Sequence, residues 1–223
     1  MKNYLKPTVF LLLLWPIYII SYQIIFNELE KDLCENAQST FIVSGGSSPV
    51  QIFKDLSAME AKWSDINISL VDDRVVDINH DDSNEKLVND LLIKDKAKDA
   101  NFISICNQSK ELINLKRPFG VMLLGMGEDG HFASLFPKLI ETNPDYFDTE
   151  SDAEIFFTEP MGNPCHKRVS MNLSMILESK NIFLLVSCKK KLEVLNQARS
   201  DKSLPLYYLL NQNKVDIKII KDF

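Results

Sequence analysis

The residue types best suited to chemistry lie together in residues 121–137, VMLLGMGEDGHFASLFP. There an apolar run of strand length ends at Gly125, Gly127 and Gly130, and His131 follows directly. Glycine takes positive φ without a steric penalty and lets the backbone approach a ligand closely. Histidine exchanges a proton near neutral pH. The pattern predicts a small-molecule site with a proton-transferring group at a strand end; a plain turn with an ordinary histidine is the alternative.

A second stretch ends an apolar run in the same way. Residues 41–43 are followed by SGGSSP at 44–49, whose adjacent glycines let several backbone N–H groups point into one concavity. Ser48 is predicted to cap a helix over residues 49–56, with Pro49 at its first position, so that the positive helix end faces the loop. This pattern is typical of a phosphate cradle, with a strand-to-helix turn as the alternative. It lacks the lysine of a P-loop, which argues against a nucleoside triphosphate.

Basic residues lie close to the ends of other predicted strands. Arg74 follows a strand over residues 66–71 and can present a fixed positive charge to a phosphate or an oxyanion. A surface pair with a neighbouring aspartate is the alternative. Arg168 opens a strand over residues 168–172, whose alternation is typical of half-burial. The cluster at 189–191 is either a solvated helix end or a further attraction for an anion.

Composition and charge exclude several classes of protein. The chain has 223 residues, 45% hydrophobic and 25% charged, so we expect a single domain over residues 1–223 with a substantial core. A net charge of −6 without an arginine-rich patch argues against nucleic-acid binding. The four cysteines and three histidines lack metal-ligand spacing, so we expect no metal site, and reduced thiols in a cytoplasmic protein. Either a monomer or a homodimer is compatible with the sequence.

The apolar residues 9–25 admit two interpretations. They resemble a signal-peptide core or a short membrane segment, but Pro16 interrupts the run and Ser21 and Gln23 dilute it. We favour a buried strand over residues 8–14 followed by a helix, and we do not expect a membrane role. The predicted apolar face of that helix contains Ile17, Ile20, Ile24, Leu29 and Leu33.

Strands and helices alternate along the rest of the chain. Strands are expected over residues 41–43, 66–71, 102–106, 120–124, 155–158, 168–172, 181–186 and 215–220. Helices are expected over residues 49–56, from a cap at 81–84 to about 93, and over 189–199, with a short one beginning at His131. This order predicts an α/β fold, a three-layer α/β/α sandwich with a largely parallel, Rossmann-like sheet.

Taken together, the motifs resemble the 6-phosphogluconolactonase family, within the superfamily that also contains glucosamine-6-phosphate deaminases. The matching segments are SGGSSP (44–49), VDDRVV (71–76), DDSN (81–84), GMGEDGHFASLFP (125–137) and RVSMNLSMI (168–176). They come in the family's order and cover the chain from about residue 40 to 210. The SLFP that follows the histidine resembles the lactonases, whereas the deaminases have a different continuation.

The resemblance implies hydrolysis of 6-phospho-D-glucono-1,5-lactone, in the oxidative pentose phosphate pathway, without a metal or an organic cofactor. His131 would activate a water as general base, because a helix N-terminus disfavours the imidazolium. Asp129 would orient its ring, and Arg74 would stabilise the oxyanion or hold the substrate. The residues expected to bind the sugar and its phosphate are Ser44, Gly45, Gly46, Ser47, Asp73, Asn84, Gly127, Arg168 and Lys190.

The chain departs from the family pattern at several positions. Asp73 stands where Glu is usual, Phe132 where Thr is common, and Ser187-Cys188 where a glycine is usual. None of these changes removes a charged group that the hypothesis needs. Two other functions stay open: a deaminase that uses the same histidine for sugar ring opening, and a sugar-phosphate sensor that is not an enzyme.

Overall fold

A computed structural model describes residues 20–221 and 223 of the chain. The strands are β1 (Ser39–Val43), β2 (Ile66–Leu70), β3 (Asp72–Arg74), β4 (Asn101–Ile103), β5 (Phe119–Leu124), β6 (Ile155–Phe157), β7 (Arg168–Met171), β8 (Ser179–Val186) and β9 (Ile217–Lys221). The α-helices are α1 (Ile20–Glu35), α2 (Val50–Ser57), α3 (Asn84–Leu91), α4 (Ser109–Ile113), α5 (Pro137–Thr142), α6 (Leu173–Leu177), α7 (Lys189–Gln197) and α8 (Pro205–Leu210).

Six of these strands form a sheet in which all neighbours are parallel. Its order is β4-β2-β1-β5-β8-β9, and Val43 of β1 lies opposite both Leu70 of β2 and Leu123 of β5. The strand order reverses between β1 and β5, so the loops that follow these two strands leave the sheet side by side. Helices flank the sheet, with α1 packed on β5 and both α6 and α7 packed on β8. The predicted α/β fold with a largely parallel, Rossmann-like sheet is confirmed.

A second, antiparallel sheet contains β3, β7 and β6, and the sequence did not predict it. Its register places Arg74 opposite Arg168. The expectation that residues 168–172 form a half-buried strand is wrong, because all four residues of β7 are buried. Both of its faces are covered: Val169 is part of the hydrophobic core, while Ser170 Oγ accepts a hydrogen bond from Ser134 N at 3.2 Å.

Helix α1 contains the part of residues 9–25 that the structure describes. Ile25 and Leu29 are buried, whereas Ile24, which was expected on the apolar face, is 40% exposed. None of the described helices is long and apolar enough to cross a membrane. The strand expected over residues 8–14 lies outside the described residues, and a single domain over the whole chain therefore stays a prediction.

A buried carboxylate ties α1 to the sheet. Asp32 is 5% exposed and accepts hydrogen bonds from Ser39 Oγ and from Lys180 Nζ, each at 2.6 Å. The pair of Asp32 and Ser39 lies directly over Gly120 in β5. A Cβ atom at that position would lie 2.3 Å from Asp32 Oδ2 and 2.4 Å from Ser39 Oγ. Close approach, and not an unusual backbone angle, therefore requires glycine at position 120.

We expect Gly120→Ala to lower the free energy of unfolding by about 1–3 kcal/mol, because an added methyl group must displace a packed and hydrogen-bonded pair. Gly125→Ala is the matched control, since its Cβ would meet no neighbour closer than 3.8 Å. Urea denaturation followed by circular dichroism measures both. If both variants lose the same free energy of unfolding, close packing at Gly120 is not the reason for the loss.

Candidate active site

A polar cleft of about 360 Å³ opens at the carboxyl ends of β1 and β5. This is the position at which open parallel sheets bind small molecules. The lining residues are Ser44, Gly45, Gly46, Ser47, Ser48, Asp72, Arg74, Asn84, Gly125, Met126, Gly127, Glu128, His131, Ala133, Asn163, Arg168 and Lys191. The cleft therefore brings together most of the residues that the sequence singled out, from five separate segments of the chain.

The loop after β1 forms one wall of the cleft. It continues the parallel pairing, since Ser44 N donates a hydrogen bond to Leu123 O at 2.8 Å. Gly46 has a φ of 82°, which residues with a side chain rarely adopt. The buried Ser44 hydroxyl has no hydrogen-bond partner within the part of the chain that the structure describes. Because buried hydroxyls nearly always have a partner, Ser44 is suited to bind a polar ligand in the cleft.

Ser48 does not cap the helix that follows, so that prediction is wrong. Helix α2 begins at Val50, with Pro49 at the N-cap position and no side-chain capping hydrogen bond. Ser48 Oγ instead lies 3.0 Å from Ser187 Oγ. Lys191 Nζ donates to these two hydroxyls at 3.1 and 3.2 Å. The side chain of Ser48 therefore holds a cation at the wall of the cleft.

His131 lies in a tight turn and not at a helix N-terminus. Gly130 precedes it with a φ of 77°, and Ala133 in the next turn has a φ of 49°. Leu135 N donates to Phe132 O at 3.0 Å, which closes this turn, and α5 begins only after it, at Pro137. The positive φ values break the helical pattern that the apolar residues suggested. The argument that a helix N-terminus keeps His131 neutral is therefore wrong.

Neighbouring groups fix the His131 ring instead. Its Nδ1 lies 2.5 Å from Asp129 Oδ1, and the Phe136 ring packs against it with centroids 4.6 Å apart. A Cβ atom on Gly127 would lie 2.2 Å from the imidazole, so only glycine leaves room for this ring position. Gly127 N also donates to His131 O at 2.8 Å. The ring is held at one edge and against one face.

The contact with Asp129 decides which nitrogen of the ring is basic. Burial raises the pKa of the Asp129 carboxyl, but the hydrogen bond and the positive charge of His131 outweigh it, so this pKa lies below its ordinary value. An ionised carboxylate only accepts hydrogen bonds. In the neutral form of the imidazole the proton therefore sits on Nδ1, which makes Nε2 the nitrogen that can accept a proton from water.

Arg74 is held by the segment that leads into α3. Its Nη1 donates to Asn84 Oδ1 at 2.6 Å and to Asp82 O at 2.9 Å. Its Nε is buried and has no partner among the described residues. The carboxylate of Asp82 also accepts a hydrogen bond from His166 Nε2 at 2.8 Å, which joins this segment to the loop over residues 161–166. Among the described residues, the side-chain hydrogen bonds of this guanidinium are made by Nη1.

Arg168 lies beside Arg74 and supports the same loop. Its Nη2 donates to Pro164 O at 2.9 Å and its Nε to Met161 O at 3.4 Å. The guanidinium carbon lies 5.4 Å from the Phe136 ring centroid. Burial lowers the pKa of Arg168 below its ordinary value, against the opposing charge of Asp72. Among the described residues its Nη1 makes no hydrogen bond and remains for a ligand.

Two residues predicted to bind the substrate do not line the cleft. Lys190 is not among the lining residues and is paired with Glu128 Oε2 at 2.5 Å, while Lys191 lines the wall. Adjacent helical residues point about 100° apart, so a cluster of lysines does not reveal which one faces a loop. Asp73 is 1% exposed and binds backbone amides. Its neighbour Asp72, which sequence reasoning missed, lines the cleft in its place.

Five lining residues were not singled out from the sequence, namely Asp72, Met126, Glu128, Ala133 and Asn163, whereas Ser48, Gly125 and Lys191 belong to segments that were. Asp72 accepts a hydrogen bond from Ser134 Oγ at 2.6 Å. Asp72 and Ser134 are 62 residues apart in the sequence. Neither residue type, nor its immediate neighbours, indicates that the two side chains will meet.

The chain matches known proteins over most of its length. The family model described as glucosamine-6-phosphate isomerases/6-phosphogluconolactonase matches residues 22–217. The 6-phosphogluconolactonase of Helicobacter pylori strain 26695 is 36% identical over 200 residues, which cover 84% of this chain and 85% of the relative. That of Neisseria meningitidis serogroup B is 33% identical over 208 residues, covering 86% and 89%.

A solved structure agrees with these sequence matches. The crystal structure of a 6-phosphogluconolactonase from Shewanella baltica superposes with a TM-score of 0.79 at 29% identity and covers 91% of each chain. The chain belongs to the family of glucosamine-6-phosphate isomerases and 6-phosphogluconolactonases.

Proposed function

We propose that this protein hydrolyses 6-phospho-D-glucono-1,5-lactone to 6-phospho-D-gluconate. The observation that carries the proposal is the Asp129–His131 pair at a cleft that also contains Arg74, Arg168 and Lys191. A proton acceptor and several cations suit an anionic ester. The relatives named 6-phosphogluconolactonase support the same reaction.

In the proposed mechanism, His131 Nε2 accepts a proton from a water as the water oxygen attacks the lactone carbonyl carbon. The carbonyl π bond breaks and its electron pair moves to the oxygen, where the Arg74 guanidinium stabilises the negative charge. When the intermediate collapses, the bond from the carbonyl carbon to the ring oxygen breaks. His131 then returns the proton to that oxygen, and the open-chain acid results. The residues present can carry every step without an organic cofactor.

The phosphate is proposed to bind at the wall formed by the loop after β1. Its oxygens would accept from the backbone N–H groups of residues 45–47, from the ammonium of Lys191, and from the Ser44 hydroxyl, which has no partner in the described part of the chain. Lys191 makes no ion pair among the described residues, so an anion need not displace a carboxylate from it. Arg168 adds a second positive charge through its Nη1.

The other assignments follow from this function. We infer a cytoplasmic enzyme that works on a small metabolite and not on nucleic acid or a membrane. We also infer one domain, because buried residues from α1 to β9 join a single hydrophobic core. The deaminase alternative is disfavoured by the SLFP segment at 134–137, which resembles the lactonases.

We expect His131→Ala to lower kcat about 10²–10⁴-fold, the usual contribution of a positioned general base. The assay follows loss of freshly generated 6-phosphogluconolactone above spontaneous hydrolysis. Calorimetry should show that the variant still binds 6-phosphogluconate. His80→Ala is the control and should keep wild-type activity, because His80 lies outside the cleft lining. Unchanged turnover in His131→Ala would refute the mechanism, and ammonia release from glucosamine 6-phosphate without lactone turnover would favour the deaminase.

We expect Lys191→Met to raise KM for the phosphorylated lactone about 10- to 100-fold, in line with the loss of a charged hydrogen bond. Lys190→Met is the matched control, because Lys190 is 65% exposed and paired at the surface with Glu128, and such pairs contribute little. Steady-state assays on glucono-1,5-lactone, which has no phosphate, should not separate the two variants. A larger rise in KM for Lys190→Met than for Lys191→Met would contradict the proposed phosphate site beside Lys191.

A further inference from the structure

The buried carboxylate of Asp73 connects two segments that line the cleft, one at Arg74 and one at Asn84. Its Oδ1 accepts hydrogen bonds from Arg74 N at 2.7 Å and from Asn84 N at 2.8 Å, and its Oδ2 accepts from Glu85 N at 3.0 Å. With 1% exposure, Asp73 does not reach the cleft. One side chain therefore joins the end of β3 to the first turn of α3.

Asn84, whose backbone is held by Asp73, contacts the guanidinium of Arg74 through its side chain. Its side-chain Oδ1 accepts from Arg74 Nη1 at 2.6 Å, while its Nδ2 donates to Asp72 O at 3.3 Å. The amide packs closely against Gly45, where a Cβ atom would lie 2.2 Å from Asn84 Cγ. A shift of the first residues of α3 would therefore move both a hydrogen-bond acceptor of Arg74 and the wall at Gly45.

We propose that Asp73 is a positioning residue, which sets the direction of the Arg74 guanidinium by fixing Asn84 at the start of α3. The proposal rests on the proposed lactonase function, in which Arg74 faces the reacting carbonyl. Asp73 acts entirely through its neighbours, because it has no surface in the cleft. Its role differs from the direct contact with substrate that the sequence suggested.

The charge of Asp73 is part of this arrangement. Burial raises the pKa of Asp73 to about 6, the amides of Asn84, Arg74 and Glu85 lower it, and the charge of Asp72 raises it. The ionised form still predominates at pH 7. It accepts all three N–H groups on its two oxygens, whereas the amide of an asparagine has to turn its NH₂ group toward one of them.

A double-mutant cycle on kcat/KM for the phosphorylated lactone tests the proposal. We expect Asp73→Asn to lower kcat/KM by up to about 100-fold, the size expected when a reacting group is misplaced by about 1 Å. In the Arg74→Ala background, the same change should have little further effect, because the group that Asp73 positions is gone. If the fold-losses in kcat/KM of the two single variants multiply in the double variant, the two residues act independently and the proposal is overturned.

Asp32→Asn is the matched structural control. Asp32 is also buried and accepts several hydrogen bonds, but it holds α1 to the sheet away from the cleft. We expect it to lower the midpoint of urea unfolding without changing kcat/KM. If Asp73→Asn does not fold, the cycle is repeated with Asp73→Ser, whose single hydroxyl oxygen cannot reach all three N–H groups. The same non-additivity with Arg74→Ala is expected.

A measurement independent of turnover separates this proposal from the proposed function. In ¹⁵N NMR of the folded protein, with Arg74 assigned by Arg74→Lys, the held guanidinium should give distinct N–H signals that average in Asp73→Asn. Signals that are the same in both proteins would overturn the positioning role. Wild-type protein without lactonase activity, but with the expected change in the Arg74 signals, would contradict only the proposed function.

Discussion

The parallel pairing of β1 with β5 brings together two loops that are distant in sequence. Their neighbours in the sheet continue in opposite directions, which leaves a gap above the two strand ends. The hydrogen bond from Ser44 N to Leu123 O carries the pairing one residue beyond β1. The SGGSSP loop and the histidine loop therefore face each other across a fixed distance. Neither loop forms a site by itself, and the sheet supplies their relative position.

The antiparallel pair of β3 and β7 adds the positive side of the cleft. It sets Arg74 beside Arg168, an arrangement that repulsion between two cations opposes. The acids Asp72 and Asp73 lie buried at the same strand ends and offset this repulsion. The loop carbonyls of Met161 and Pro164 also accept from Arg168. Neighbouring groups thus hold the cations, while Arg74 Nε and Arg168 Nη1 make no hydrogen bond among the described residues.

Local signals in the sequence predicted the parts of the site that depend on local chemistry. Gly45 and Gly127 mark positions where another side chain approaches the backbone closely. The carboxyl ends of β1 and β5 were predicted from the apolar runs that precede the two loops. Errors arose where the outcome depends on contacts distant in sequence. The choice between Lys190 and Lys191 depends on where Ser48 and Ser187 lie, and no periodicity encodes that.

The segment after His131 shows a second kind of error. Its apolar residues fit a helix as well as a turn, and the positive φ of Ala133 decides between them. Alanine is the best helix former, so its residue type favours the wrong answer. Likewise, the complete burial of β7 follows from the small second sheet, whose partners β3 and β6 are each only three residues long. Strands of that length give almost no alternation to detect.

The Lys191 side chain is held between two serine hydroxyls, so that its conformational entropy is lost on folding and not on ligand binding. A free lysine side chain gives up roughly 1.5–2 kcal/mol of rotamer entropy when it is fixed. Here Ser48 and Ser187 restrict that side chain as the chain folds, before any anion arrives. The entropy lost when this side chain is fixed therefore lowers the free energy of unfolding, and it does not reduce the affinity for a ligand. Ser187 supplies one of these two restraints from the end of β8.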